Sequence, residues 1–409
     1  MTSHLADIAV SRTQTDAEVD PRAAWSGVIA MSVCAFALVA SEFMPVSLLT
    51  PMAADLHVTE GMTGQGIAIS GAFAVVTSLF VSTLAGSLDR KTLLLALTAA
   101  MGMSGAVVAL APNYFTYLLG RALIGVVVGG FWSMSAATVI RLVPTAQVPR
   151  ALAILNGGNA LATVVAAPLG AYLGEVIGWR GAFFCLVPVA LLTLAWQWVT
   201  LPSMPAHARV AGARNALGVF ALFKRRGVAV GMAAASVFFM GQFALFTYVR
   251  PFLETVTRID AGTLPLVLLV IGAAGFVGTA LIGAVLRRGF YQTLMAIPVL
   301  MAMTALGLIA FGAIATTVIV LLGIWGLVGT AAPVGWWAWV ARTFPHDAEA
   351  GGGLLVAVVQ LAIALGSTVG GMLFDSSGHA STFIASAAML SISAFLTFLI
   401  SRPAIASAT

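Results

Sequence analysis

Long apolar stretches with almost no charged side chain run through this chain, and they constrain its fold more than any other feature. Most are close to the ~20 residues with which a helix crosses the hydrocarbon of a bilayer. Because hydrocarbon cannot hydrogen-bond free backbone groups, a spanning segment must be a helix or part of a closed barrel. The stretches lack the alternation of barrel strands, and only 8% of the 409 residues are charged. The sequence therefore predicts an all-α protein embedded in a lipid bilayer.

Twelve transmembrane helices can be placed, and they divide into two pseudo-symmetric bundles of six. A shift of 200 residues takes Glu42-Phe43 to Gln242-Phe243 and Pro51 to Pro251, which indicates a parallel repeat. The predicted spans are 25–48, 62–86, 92–111, 114–140, 150–174, 181–200, 228–249, 264–286, 292–312, 316–340, 351–374 and 380–400. The predicted organisation is a tail 1–24, an N-terminal bundle 25–201, a central loop 202–227, a C-terminal bundle 228–402 and a tail 403–409.

The distribution of basic residues predicts how the helices are oriented. With the N-terminus inside the cell, fifteen of the nineteen Lys and Arg residues fall on the cytoplasmic side. This asymmetry is the positive-inside pattern, so we expect both termini and the central loop in the cytoplasm and the protein in the inner membrane. The net charge of +5 then reflects topology, and we expect no nucleic-acid partner.

Motifs of enzymes and of metal sites are missing from the sequence. The two cysteines, Cys34 and Cys185, lie in apolar stretches and cannot build a metal cluster or a disulfide framework. We find no H-E-x-x-H, no G-x-S-x-G and no paired acids. The sequence therefore predicts no enzymatic activity, no metal and no cofactor.

Two charged residues fall in the interior of predicted spans, Glu42 in the first and Arg121 in the fourth. Ionisable residues within a membrane usually face a polar cavity and carry function, so we predict that Glu42 binds and releases a proton. Arg121 would then tune the proton affinity of that carboxyl. The alternatives are an acid that reaches water at the outer end of its helix and an arginine bonded to backbone carbonyls near the interface.

Uncharged polar and aromatic side chains in the spans are candidates for binding a solute. Together they suit a neutral, planar molecule with hydroxyl groups, which needs stacking and hydrogen bonds but no counter-charge. For any one of them, helix packing or an interfacial position is an equally good explanation. The candidate residues are Asn156, Asn159, Gln242, Tyr248, Trp336, Trp337 and Gln360.

Three motifs resemble those of the major facilitator superfamily. The run LAGSLDRK, which contains Asp89 and Arg90, is similar to the conserved loop after the second helix. Arg121 with Gly125 and Gly129 resembles the helix-4 motif, and AAPLGAYLG resembles the helix-5 motif of antiporters. The resemblance implies a proton-coupled exporter of the drug-efflux type, with Asp89 and Arg90 in a gating loop.

Longer segments resemble one branch of that superfamily, the bacterial exporters of purine ribonucleosides. These segments include EFMPVSLLTPMAADL, GQFALFTYVRP and PVGWWAW. The resemblance implies export of inosine and guanosine, and of purine analogues, in exchange for protons by alternating access. We expect a monomer whose partners are protons, a neutral small molecule and lipid. Alternatives are export of sugars or amphipathic drugs by the same fold, a membrane sensor that does not transport, and a passive channel.

Overall fold

The computed structural model describes residues 21–84, 88–205, 226–344 and 348–406, and the regular elements in these ranges are helices. The helices are α1 Pro21–Leu56, α2 Glu60–Leu84, α3 Arg90–Ala109, α4 Tyr114–Leu142, α5 Val148–Phe184, α6 Leu186–Thr200, α7 Arg226–Phe246, α8 Val249–Phe252, α9 Leu264–Arg288, α10 Phe290–Phe311, α11 Ala315–Gly329, α12 Ala332–Thr343 and α13 Ala348–Ala406. A π-helical segment, Leu253–Thr257, follows α8. The predicted tails and central loop lie largely outside the described residues.

Two of the apolar stretches are far too long to cross a membrane once. The described residues contain ten continuous stretches, and two of them, Thr145–Thr200 and Gly351–Arg402, have 56 and 52 residues. Each is broken at a glycine with positive φ, 75° at Gly178 and 77° at Gly378, a conformation that glycine adopts without steric cost. Dividing both stretches at these glycines gives twelve crossing segments. The predicted all-α fold is confirmed.

Glycines bring the backbones of neighbouring helices into contact at equivalent places in the two halves. A methyl group on Gly125 of α4 would lie 2.2 Å from the carbonyl oxygen of Ser70 on α2. In the second half, a methyl group on Gly326 of α11 would lie 2.2 Å from the carbonyl oxygen of Ile271 on α9. Small residues at such crossings are typical of membrane helix pairs, and their recurrence shows the repeat in three dimensions.

Two predicted spans are interrupted where a proline follows. The predicted span 228–249 ends early, because α7 stops at Phe246 and a turn precedes α8, which contains Pro251. The predicted span 316–340 consists of α11 and α12, separated near Pro333, which stands in the first turn of α12. Proline lacks the amide hydrogen that bonds to the carbonyl four residues before it, and this loss contributes to each break.

The halves, α1–α6 and α7–α13, meet along two helix pairs. Helix α2 packs on α13, where a methyl group on Gly71 would lie 2.8 Å from the carbonyl oxygen of Gln360. Helix α5 packs on α9, where a methyl group on Gly272 would lie 2.5 Å from the carbonyl oxygen of Val164. Between these pairs the halves separate and enclose a cavity.

Candidate functional site

A cavity of about 530 Å³ lies between the two halves. This volume is within the range of small-molecule binding sites. Helices α1, α4 and α5 line it from one half, and α7, α12 and α13 line it from the other. Most of its wall is apolar, and among the described residues that line it the polar ones are Glu42, Ser135, Asn156, Asn159, Gln360 and the indoles of Trp132, Trp336 and Trp337.

Glu42 is the ionisable residue among the described residues that line this cavity. Its carboxyl oxygen Oε1 lies 3.5 Å from the amide nitrogen Nε2 of Gln360, which belongs to the other half. The side chain therefore points into the crevice between the halves, as the functional interpretation of Glu42 requires. The alternative of an acid that snorkels to the surface does not match this position.

Arg121 is fully buried behind the cavity wall. Its guanidinium donates from Nη1 to the carbonyl oxygen of Ser41 (2.8 Å), from Nε to that of Gly66 (3.2 Å) and from Nη2 to that of Glu42 (3.4 Å). Proline at position 45 has no amide hydrogen, so the Ser41 carbonyl lacks its normal partner four residues on, and Arg121 supplies one. This arrangement is the structural alternative raised for Arg121. A tuning role towards Glu42 stays a prediction.

Five of the seven residues predicted to bind a solute do line the cavity: Asn156, Asn159, Trp336, Trp337 and Gln360. Asn156 and Asn159 stand three positions apart on α5 and so share a face. Trp336 is packed edge-on against Trp339, with ring centroids 6.1 Å apart, whereas 47% of Trp337 is exposed. The cavity thus combines aromatic rings and amide groups from both halves.

Gln242 and Tyr248 are placed elsewhere, in contrast to the prediction that they contact the solute. Tyr248 follows the end of α7, is 0% exposed, and donates from its hydroxyl to the carbonyl oxygen of Ser367 (2.8 Å). Its ring stacks on Phe374 at 5.3 Å. Gln242 turns its Nε2 towards the carbonyl oxygen of Gly329, 3.5 Å away. In this conformation Gln242 packs within the C-terminal half, and Tyr248 packs at the interface, where its hydroxyl lies against Gly64 of α2 in the other half.

At one end of the molecule, hydrogen bonds join the two halves. Asp375 on α13 accepts from the hydroxyl of Thr59 (2.6 Å) and from the amide of Gly61 (3.0 Å), so it caps the N-terminus of α2. One turn along α2, Thr368 donates to the side-chain carbonyl of Gln65 (3.0 Å). The halves are therefore sealed at the end that contains the turn between α1 and α2.

A third link at the sealed end involves Arg250 of α8. Arg250 is only 9% exposed, pairs with Glu254 at 2.7 Å, and donates across the interface to the carbonyl oxygen of Ser47. Pro51 again removes the helical partner of that carbonyl. The available signal was the four-residue spacing of Arg250 and Glu254 together with a second proline in the first span.

The predicted gating loop lies at the opposite end of the molecule. Asp89 caps α3 by accepting from the amides of Lys91 (2.8 Å) and Thr92 (3.2 Å), and it also accepts from the hydroxyl of Ser203 (2.6 Å). Partial burial opposes ionisation of this carboxyl, but these hydrogen bonds outweigh it and lower the pKa of Asp89. The amide of Arg90 donates to the carbonyl oxygen of Met204 (3.0 Å). Both residues therefore tie the start of α3 to the segment after α6, and gating stays a prediction.

The family profile described as Major Facilitator Superfamily matches residues 31–351. The chain belongs to the major facilitator superfamily. Its fold agrees with that of a solved bacterial homologue of the human lysosomal transporter Spinster, with a TM-score of 0.77 at 14% identity, covering 93% of this chain and 97% of that one. The chain is thus a multi-pass membrane protein with the transporter fold of this superfamily, whose members are normally not enzymes.

Two relatives in this superfamily carry different names. The chain is 73% identical over 378 residues to the "Transcription regulatory protein OpdE" of Pseudomonas aeruginosa, covering 92% of this chain and 94% of that protein. It is 39% identical over 372 residues to the "Purine ribonucleoside efflux pump NepI" of Salmonella typhimurium, covering 91% and 93%. Both matches extend over nearly the whole chain.

Proposed function

We propose that this protein exports purine ribonucleosides such as inosine and guanosine, and related purine analogues, in exchange for protons. The observation that carries the proposal is the position of Glu42, a carboxyl group in the wall of the cavity between the halves. The 39% identity to a purine ribonucleoside efflux pump supports the choice of substrate. The protein lies in the inner membrane with both termini in the cytoplasm, acts as a monomer, and binds no nucleic acid.

The chemistry of the cavity suits a neutral purine ribonucleoside. The exposed ring of Trp337 offers a face for a purine, and the amides of Asn156 and Asn159 offer donors and acceptors for ribose hydroxyls and ring nitrogens. Among the described lining residues there is no cation to pair with a phosphate. The site therefore favours nucleosides over nucleotides.

Exchange of proton and nucleoside follows if Glu42 is exposed alternately to the cytoplasmic and the periplasmic side of the membrane. With the proposed orientation, the sealed end is periplasmic and the present crevice opens towards the cytoplasm. Here Glu42 releases its proton and a nucleoside binds; after the outer end opens, the nucleoside leaves and a periplasmic proton binds. One proton per neutral nucleoside moves one charge inward, so ~100 mV supplies ~2.3 kcal/mol, which sustains a roughly fifty-fold gradient.

Transport by the purified protein in liposomes tests this proposal. An imposed pH gradient should drive radiolabelled inosine and guanosine against their gradients, and a protonophore should stop that movement. Transport of arabinose and of an amphipathic dye, measured in the same vesicles, tests the alternatives that the protein exports sugars or amphipathic drugs. If the dye or the sugar moves and inosine does not, the nucleoside proposal is wrong.

A second candidate function is a membrane sensor that controls gene expression, and the name of the 73% identical relative favours it. A sensor would use the same cavity to bind a solute but would not need proton-coupled exchange. The two candidate functions can be distinguished in cells whose chromosomal gene carries the Glu42→Gln substitution. If transcript levels respond to added nucleoside in these cells while export is lost, the protein is a sensor; if both are lost together, any regulation follows from transport.

A further inference from the structure

The contact between α2 and α4 fixes how positions in the two halves correspond. A methyl group on Gly125 would lie 2.2 Å from the carbonyl oxygen of Ser70. A shift of 201 positions takes these residues to Gly326 and Ile271, for which the same distance is also 2.2 Å. The halves of a parallel repeat are related by an axis along the membrane normal, so residues paired by this shift lie at similar depths on opposite sides of that axis.

This correspondence extends to the wall of the cavity. Three residues of α4 and their three counterparts on α12 all line it, and the two members of each pair are exposed to a similar degree. The pairs are Trp132 with Pro333, Ser135 with Trp336, and Ala136 with Trp337. The second pair is buried in both halves, and the third is exposed in both. The break between α11 and α12 therefore does not change which positions face the cavity.

The third pair places a large and a small side chain on opposite walls. Trp337 presents a half-exposed indole from α12, whereas its counterpart Ala136 on α4 ends at a methyl group. A methyl group on Gly352 of α13 would lie 2.8 Å from the ring atom Cζ3 of Trp337, so the indole packs against a backbone that has no side chain to displace it. These residues form a slot with an aromatic wall on one side and a small residue on the other.

Helix packing does not account for the small residue at position 136. Gly125 and Gly129 on the same helix lie so close to the backbone of α2 that a side chain cannot be placed there. Ala136 is exposed and lines the cavity, so a larger side chain at this position would project into the cavity. The size of this residue therefore determines the space that remains for a ligand.

We propose that the base of the nucleoside stacks on Trp337 and that the small side chain of Ala136 gives the slot the width that admits a purine. The inference rests on the proposed function and adds a residue that selects for the size of the base. A purine is a flat bicyclic ring system, which gains from stacking on an aromatic side chain. Trp132 lies one helical turn from Ala136, about 6 Å nearer the sealed end, and bounds the slot there.

Exchanging the two side chains tests the slot, with inosine affinity measured on the full-length protein in nanodiscs. Trp337→Ala removes the aromatic wall and should weaken inosine binding about ten- to a hundredfold. Ala136→Trp should weaken it by about tenfold or more, because a second indole occupies the space of the base. The double variant, Trp337→Ala with Ala136→Trp, again pairs one indole with one methyl group and should recover an affinity within a few-fold of wild type.

A smaller substitution measures the selection for size. Ala136→Val narrows the slot and should weaken binding of the bicyclic inosine several-fold, and more than binding of the monocyclic uridine. Ala137→Val, at the adjacent exposed alanine that is not part of the cavity wall, is the matched control and should leave inosine affinity unchanged. Size-exclusion profiles confirm that each variant is folded. If the double variant does not fold, the comparison of Ala136→Val with Ala137→Val decides.

The possible results are distinct. If Trp337→Ala or Ala136→Val leaves inosine affinity unchanged, or if the folded double variant does not recover it, the inference is wrong while the proposed function stands. If the wild-type protein binds neither inosine nor guanosine, the proposed function is wrong and the inference falls with it. Loss of affinity in Trp337→Ala and in both Ala136 variants, with recovery in the double variant, supports the slot.

Discussion

The two halves of this protein have the same arrangement of helices but differ in the charged residues that lie within those helices. Gly178 and Gly378 break equivalent helices, and glycines close equivalent helix crossings in each half. Glu42 in the N-terminal half nevertheless corresponds to the neutral Gln242 in the C-terminal half, and Arg121, four residues before Gly125, to Leu322, four residues before Gly326. The repeat therefore builds two bundles that can move against one another, and the differences between them supply the chemistry.

The two prolines of α1 sharpen this comparison. Each frees a carbonyl, and each free carbonyl is bound by an arginine. The carbonyl of Ser41 is bound by Arg121 of the same half, so that contact can persist in every conformation. The carbonyl of Ser47 is bound by Arg250 of the other half, so we expect that contact to break when the halves separate at this end.

The largest expected effect is that of Glu42→Gln. Removing the titratable group should reduce proton-driven inosine exchange in liposomes to the level of empty vesicles, because no other described lining residue can carry the proton. The equivalent change in the other half, Gln242→Met, should leave exchange within a few-fold of wild type. Equal loss in both variants would contradict the assignment of proton coupling to one half.

Replacing Arg121 with leucine, its counterpart in the repeat, should mainly lower stability. The Ser41 carbonyl would lose the donor that replaces its helical partner, and a buried acceptor without a donor costs ~1–3 kcal/mol. Thermal unfolding in detergent should therefore shift to a clearly lower temperature. Leu322→Met, a volume-conserving change at the matching buried position, should shift it little. A normal unfolding temperature for Arg121→Leu would mean that the guanidinium is not a structural anchor.

Arg250→Met should open the sealed end without unfolding the protein. The reporter is a cysteine at Thr368, which lies in the seal, in a background that lacks the exposed Cys185. Loss of the bond to Ser47 should make this cysteine react several-fold faster with a membrane-impermeant maleimide. Arg258→Met, at a nearby exposed arginine, is the control and should leave the rate unchanged. An unchanged rate in Arg250→Met would show that this bond does not hold the seal.

The sequence alone predicted the features that depend on hydropathy and charge along the chain. It did not predict the contacts between residues that are distant in sequence. The crossing segments follow from apolar length, and the inward position of Glu42 follows from the cost of a charge in lipid. The bond between Arg250 and Ser47 joins residues 203 positions apart, and the local signals, the Arg250–Glu254 spacing and the proline at position 51, do not say that the two lie together. The burial of Tyr248 escaped prediction for a related reason, since the turn that ends α7 moves it from the helix face.

The smallest expected effect compares glycines at matching positions of the two halves. A methyl group on Gly370 would lie 2.5 Å from the carbonyl oxygen of Ala244, part of a backbone that cannot move aside. A methyl group on Gly170 would instead meet the hydroxyl of Ser47, also at 2.5 Å, and that side chain can rotate. Gly370→Ala should therefore cost ~1–3 kcal/mol of stability and Gly170→Ala less than ~1 kcal/mol, measured by thermal unfolding. If the two changes cost the same, the two halves are packed more alike than these contacts indicate.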